Sequence, residues 1–244
     1  MVLTGFYGES CLGSILNLKI YNLLVLEVCL RKFPLGHNQE RRIKISNLIK
    51  KNISALILAA GKSSRMLGKN KLLEIINKEE IITIIVKETL KSNVDDIVVV
   101  TGHEEEKIKN VLQNLPVRYT KSTNYSNGMG NSISSGIKSL SKNTDGVIIL
   151  LGDMPQTKFK NINILINSFN QNNNICILKY RGKTGNPVLF GSFYFNDLAK
   201  LTEDHGGKDI INNNLQRTIS KEVNDSSILF DIDTPDDLNE LLNR

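Results

Sequence analysis

Three short runs of this chain are apolar almost without a break: SALILAA at 54–60, DIVVV at 96–100 and GVIILL at 146–151. A strand with one wet face alternates polar and apolar residues. A run without alternation belongs to a strand covered on both faces, as in a parallel sheet between helical layers. Parallel neighbours need a crossover, normally a helix. The intervening IITIIV segment would pass for a strand on propensity alone, but is therefore read as part of a helix within 72–91.

The rest of the chain extends the same rhythm. EEEKIKNVLQNL at 104–115 reads as a helix with acidic residues in its first turn. VRYTKS is a short strand, NYSNGMGNS at 124–132 a glycine-rich loop, and ISSGIKSLSK a helix. Residues 159–170 read as helix, NICILKY as strand, NPVLFG as a strand or its edge, and FYFNDLAKL as helix. Strands are expected at 218–223 and 227–232. In TPDDLNELL, Thr234 suits the N-cap, Pro235 the first helical position, and Asp236 and Asp237 the first turn. The pattern is α/β with a mostly parallel sheet, built by residues 53–244.

Residues 1–52 differ. Leu12 to Leu30 is apolar but broken by Asn17, Lys19, Asn22 and Glu27, so a buried helix or strand pair is expected rather than a membrane span or signal peptide. A basic stretch with Pro34 and Gly36 connects it to the main domain. The segment is an N-terminal extension with no recognisable chemistry.

Composition narrows the function. Cys11, Cys29 and Cys176 are dispersed, which fits a reducing, cytoplasmic setting and no thiolate metal site. Three histidines make a histidine-rich zinc site unpromising. The net charge of +6 suits anionic small ligands, and the absence of an Arg/Lys tract interleaved with aromatics argues against nucleic acid.

In open α/β sheets ligands bind beyond the carboxyl ends of the strands. Four polar groupings fall there: 60–71, 101–103, Asp153 and 231–233. In the first, Gly61 lets backbone approach a ligand, Ser63 and Ser64 offer donors, Arg65 can grip phosphate oxygens bidentately, and Lys71 can place a mobile charge on them. Neither GxGxxG nor GxxxxGK[ST] is present. Asp153 and Asp233 either cap local structure or converge on a divalent cation through hard oxygen ligands. Asn131, Ser132 and Ser134 beside the three glycines of 128–136 could recognise a base or sugar.

LAAGKSSRM followed by GKNKLL, then GMGNSISSG, LLGDMPQ, GNPVLF, LTEDHGGKDII and DIDTPDDL occur in this order over about 54–241. In this the chain resembles the MobA-like nucleotidyltransferases, and among them most resembles the molybdenum cofactor cytidylyltransferases, which carry LAAG rather than LAGG. The resemblance implies a Rossmann-like three-layer α/β/α nucleotidyltransferase domain. It implies that CTP lies against Leu58, Ala59, Ala60, Gly61, Ser64, Arg65 and Lys71, with Gly102, His103, Gly128, Met129 and Ser132 around the nucleoside. Arg65, Lys71 and Asp153 would be catalytic, and Asp153 and Asp233 would hold Mg²⁺. Asn186, Pro187, His205, Gly206 and Gly207 would face a molybdopterin-type acceptor. Asn186 stands where that family usually has histidine, LTED replaces LTGD, and Gly207–Lys208 replaces Ala–Arg. The acceptor side is thus where the chain departs, and another nucleotide such as GTP, or another phosphorylated acceptor, is the alternative. A non-catalytic accessory role for a molybdoenzyme is the alternative outside enzymology. The expected protein is a monomer that passes its product to a molybdoenzyme or its chaperone.

Overall fold

The computed structural model describes residues 51–66, 68–203 and 206–242. The expectations for the N-terminal extension up to residue 50, and for His205, lie outside the described residues. Strand β1 (Ile53–Ala59) is buried along its whole length. It is the centre of the architecture, because it pairs in parallel with β4 (Asp96–Thr101) on one side and β6 (Gly146–Leu151) on the other. Ile57 lies opposite Val99 in one neighbour and Leu150 in the other. β5 (Arg118–Lys121) extends the sheet in parallel beyond β4. Beyond β6 come β8 (Lys183–Gly191), β7 (Ile175–Tyr180) and β9 (Thr218–Glu222), completing the seven-stranded order β5-β4-β1-β6-β8-β7-β9. Among the described strands of this sheet, β8 alone runs against its neighbours.

Alternation along the strands feeds two separate cores. Ala55, Ile57, Ala59, Val99 and Leu150 point to one face, where α1 (Ile81–Leu90), α2 (Glu105–Leu112) and α4 (Phe159–Ser168) pack. Leu56, Leu58, Val98, Val100 and Ile149 point to the other, covered by α3 (Met129–Lys138) and the one-turn helix α5 (Phe195–Leu198). Two helical layers thus enclose the sheet, the three-layer arrangement expected from the apolar runs. No helix among the described residues is long and apolar enough to cross a membrane.

Particular elements depart from the sequence reading for local physical reasons. The 72–91 span splits. A small hairpin, β2 (Ile75–Ile76) and β3 (Glu79–Glu80), precedes α1, and its turn residues Asn77 and Lys78 both have positive φ, 51° and 73°. Such a turn matches the twist of the paired strands. α1 is helical despite its isoleucines because Ile81, Ile82, Ile85, Val86 and Thr89 form one buried stripe. The loop assigned to 124–132 is shorter than expected: Tyr125–Asn127 form a 3₁₀ turn and α3 begins at Met129. Gly128, at φ 114°, makes that abrupt entry in a backbone conformation other residues rarely adopt. Residues 227–232 are not a strand. Ser226–Leu229 form a 3₁₀ turn opened by Asp225, whose carboxylate accepts the Ser227 N–H at 3.0 Å.

β8 lies inside the sheet rather than at its edge, although it contains Pro187. The register explains this. Ile177 pairs with Val188 and Leu178 with Gly185, so Asn186 and Pro187 occupy a bulge where no ladder N–H is required. The Asn186–Pro187 peptide is cis.

α3 matters for function because its start faces the carboxyl ends of β1 and β6, and Gly136 sets how closely it lies on β1. A Cβ at Gly136 would come within 2.4 Å of Leu56 Cδ1. Gly136→Ala is therefore expected to destabilise the domain by about 1–3 kcal/mol through overpacking, read as a lower midpoint in urea unfolding.

Candidate functional site

The first side of the site is the turn after β1. Ser63, at φ 52°, bends the chain and accepts the Met66 N–H through its carbonyl at 2.9 Å. Its hydroxyl accepts the Lys71 N–H at 3.1 Å. Buried Asn70 caps the following 3₁₀ turn by accepting the Leu72 N–H at 3.1 Å, and Leu72 sinks into the core. These bonds leave the Lys71 side chain only 13% exposed, while Arg65 at the outer bend is 68% exposed.

The acidic side comes from two distant segments. β6 ends at Leu151, and the Gly152 N–H donates to the Leu58 carbonyl at 3.0 Å. A Cβ at Gly152 would lie 2.7 Å from that oxygen, so glycine is needed for Asp153 to follow at the sheet's tip. The Asp153 carbonyl in turn accepts the Ile232 N–H at 3.0 Å. Ile232 is fully buried, which anchors the 231–233 segment beside β6. In extended chain Asp231 and Asp233 then share the side opposite Ile232. α6 (Pro235–Leu242) fixes the end of this segment. Asp237 accepts the N–H groups of Asp233 at 3.0 Å and Thr234 at 2.7 Å, and its own N–H donates to the Thr234 hydroxyl at 3.3 Å. This is a capping box with aspartate at its third position.

The two sides meet. Lys71 Nζ lies 2.5 Å from Asp153 Oδ2 and 2.9 Å from Asp233 Oδ1, and Arg65 Nη1 lies 2.8 Å from Asp233 Oδ2. Burial draws the Lys71 pKa down, but the charge of Asp153 and hydrogen bonds to Asp153 and Asp233 outweigh it and hold the ammonium above its ordinary 10.5. The Asp231 carboxyl is pushed up, first by partial burial and then by the negative charges of Asp153 and Asp233. One carboxylate oxygen from each of Asp153, Asp231 and Asp233 falls within 4.8 Å of the others. Asp153 Oδ1 is buried with no hydrogen-bond partner among the described residues. Convergent hard oxygens with one acceptor unmatched fit a small divalent cation such as Mg²⁺ or Mn²⁺.

A cleft of about 580 Å³ opens over this cluster. Of the residues expected to hold the nucleotide, Leu58, Ala60, Gly61, Ser64, Arg65, Lys71, Gly128, Met129 and Ser132 line it. Ala59 does not: alternation turns its methyl into the opposite core, where it is 1% exposed. Gly102 and His103 stand behind Tyr125, which lines the cleft in their place. The His103 and Tyr125 rings are 6.4 Å apart, and a Cβ at Gly102 would lie 2.7 Å from Tyr125 Cγ. The described acceptor-side residues also lie off the cleft wall. Asn186 and Pro187 sit in the β8 bulge, immediately before Val188, which pairs with Ile149 near the end of β6. Gly206 lies at the rim, where an added Cβ would be 3.8 Å from Met129 Sδ, and Gly207 packs on the Phe190 ring. The loop they belong to is bonded to α3, the Gly130 N–H donating to the Glu203 carbonyl at 2.8 Å.

Asp231, Tyr125 and Lys62 enter the sequence analysis only as members of the 231–233, 124–132 and 60–71 segments, with no role of their own, yet all three line the cleft. The signal for Asp231 was the Asp-Ile-Asp alternation, which puts two carboxylates on one side of an extended segment. Lys62 Nζ lies 5.9 Å from the Tyr125 ring centre, a cation resting over an aromatic face.

A cleft at the carboxyl ends of a mostly parallel sheet, where the strand order reverses around β1, with Arg65 and Lys71 facing carboxylates, defines an α/β protein that handles phosphate-bearing ligands. The chain belongs to the MobA-like NTP transferase domain family, whose pattern matches residues 55–219, and it is a nucleotidyltransferase. It is 31% identical to the purine catabolism protein PucB of Bacillus subtilis over 191 residues, 75% of this chain and 92% of that protein. Among solved structures, a nucleotidyl transferase from Methanothermobacter is similar with a TM-score of 0.70 at 22% identity, covering 79% of this chain and 96% of that one. The Mycobacterium tuberculosis protein Rv0371c in complex with manganese is similar with a TM-score of 0.69 at 20% identity, covering 79% and 99%. These structural likenesses establish the shared fold.

Because Tyr125 and Ala60 fill the space beside Gly102, Gly102→Ala drives the tyrosine toward the cleft. The expected result is a nucleotide KM raised about tenfold, equivalent to about 1.4 kcal/mol, in steady-state kinetics. An unchanged KM would mean that Tyr125 does not border the nucleotide.

Proposed function

We propose that this nucleotidyltransferase transfers CMP from CTP to the terminal phosphate of a molybdopterin-type acceptor, releasing pyrophosphate and forming a cytosine dinucleotide. The observation that carries the transfer chemistry is the meeting of Lys71 and Arg65 with Asp153 and Asp233 at one end of the cleft. The cytidylyl and molybdopterin parts rest on LAAG at 58–61 and GDMP at 152–155, the motifs that resemble the cytidylyl branch.

In this reading the triphosphate lies along the Gly61 turn. Gly61 is exposed with open space where a side chain would be, so backbone can approach the phosphates. Arg65 leaves Asp233 and grips phosphate oxygens, as its high exposure permits. Lys71 neutralises the charge that grows on the departing pyrophosphate. Asp153, Asp231 and Asp233 would hold a divalent cation, which supplies charge stabilisation at the phosphates when bound. An acceptor phosphate oxygen forms a bond to the α-phosphorus, and the bond from that phosphorus to the β-bridging oxygen breaks with its electron pair leaving on pyrophosphate. The nucleophile is already an anion, so no general base is required, and the work is alignment and charge stabilisation. The acceptor approaches from the side of the β8 bulge and Gly206, next to Met129.

Pyrophosphate release in the presence of purified molybdopterin acceptor is expected to be fastest with CTP when CTP, GTP, ATP and UTP are compared. Asp153→Ala is expected to slow release by about 10²–10³-fold while leaving the circular dichroism spectrum unchanged. Full activity in that variant would refute the assignment of Asp153. Preference for GTP, or for another phosphorylated acceptor, would replace the substrate named here. Binding of Mg²⁺–CTP with no release under any condition would make the protein an accessory module.

A further inference from the structure

The proposed cation site has an occupant of its own. Lys71 Nζ sits between Asp153 and Asp233, 2.5 and 2.9 Å from one oxygen of each. A divalent ion bonded to the same carboxylates, at about 2.1 Å for magnesium, would occupy nearly the same point. The ammonium is enclosed, with the lysine side chain 13% exposed, so it cannot drift into water as Arg65 can. Its backbone is pinned by the Ser63 hydroxyl and the Asn70-capped turn, so only the side chain can move. The local charge points the same way. Three carboxylates against Lys71 and Arg65 leave one net negative charge, and a divalent ion added to that set makes it positive. A polyphosphate in the cleft reverses that excess and offers Lys71 new acceptors.

We infer that Lys71 is the built-in counter-ion of the Asp153–Asp233 pair, and that divalent cation and nucleoside triphosphate bind this site cooperatively because the triphosphate draws Lys71 off the carboxylates. Lys71 thus has two positions, on the carboxylates before substrate arrives and on the phosphates afterwards. Coupling between two ligands is reciprocal, so the cation tightens the triphosphate by the same factor that the triphosphate tightens the cation. Free protein holds the cation weakly, which keeps the site from filling with metal before its substrate is present. The inference rests on the nucleotidyltransferase reading and deepens it.

The test uses free Mn²⁺, counted by electron paramagnetic resonance, on the full chain. Wild type is expected to bind Mn²⁺ weakly alone and about tenfold or more tightly with α,β-methylene-CTP, within the usual range of coupling between sites. Lys71→Met keeps the side-chain length and removes the charge. It is expected to bind Mn²⁺ alone about tenfold more tightly than wild type and to gain less from the nucleotide analogue. Lys69→Met removes a nearby cation that pairs with Glu74 instead, and is expected to match wild type. Equal Mn²⁺ affinity of wild type and Lys71→Met without nucleotide overturns the inference, as does an equal effect of Lys69→Met. The wild-type arm needs no variant to fold, and a wild-type affinity unmoved by the analogue also overturns it. Mn²⁺ binding to none of the proteins, with or without analogue, would sink the metal-dependent reading together with the coupling. Tight binding to wild type alone would sink only the coupling.

Discussion

Two carboxylates from parts of the chain 80 residues apart are brought onto one ammonium group, and the rest of the site is arranged around that meeting. The convergence depends on the backbone bond from the Ile232 N–H to the Asp153 carbonyl, on the burial of Ile232 and on the Asp237 cap that holds the Asp233 N–H. Like charges at this spacing repel, and an unpaired one in a half-buried place is costly. Lys71 and Arg65 offset that cost in the free protein. The same two cations are the groups that a triphosphate would recruit, so the pairs that stabilise the empty cleft are the ones substrate binding must rearrange. The cleft sits where the strand order reverses around β1, which is why glycine is required at Gly152: Leu58 and the β6 tip approach too closely for any side chain.

The sequence revealed the layers because burial on both faces leaves an unmistakable apolar run, as in Ile53–Ala59. It revealed the final helix because Thr234, Pro235 and Asp237 form a local cap that depends on no distant contact. Local chemistry failed where tertiary packing decides. The start of α3 at Met129 follows from Gly128 and from close packing of Gly136 on Leu56, neither visible as periodicity. β8 became an interior strand because its bulge absorbs Pro187, a feature defined by its partner's register.

The candidate site was legible where residues follow the tips of β1 and β6: Gly61, Arg65, Lys71 and Asp153 come together there, and Asp233 joins them from an irregular segment that is not a strand. It was less legible where a side chain's direction matters. Ala59 follows Leu58 by one residue and so faces the opposite core. Tyr125 takes the position expected of Gly102 and His103 because a glycine at 102 leaves room for its ring. The part Asp231 plays is not visible locally, because it depends on Ile232 being the inward residue of the segment. On the acceptor side the motifs depart from the resembling family, and there Gly206 lies by Met129 at the rim of the cleft while Asn186 and Pro187 sit in the β8 bulge.

The central claim is that Asp153 and Asp233 would hold a divalent cation when a triphosphate is bound. A crystal of the protein grown with Mn²⁺ and α,β-methylene-CTP, measured at the manganese absorption edge, tests it directly. The account predicts an anomalous peak bonded to both carboxylates, with Lys71 turned toward the phosphates. A peak away from these residues, or a bound triphosphate with Lys71 still lodged between Asp153 and Asp233, would contradict it.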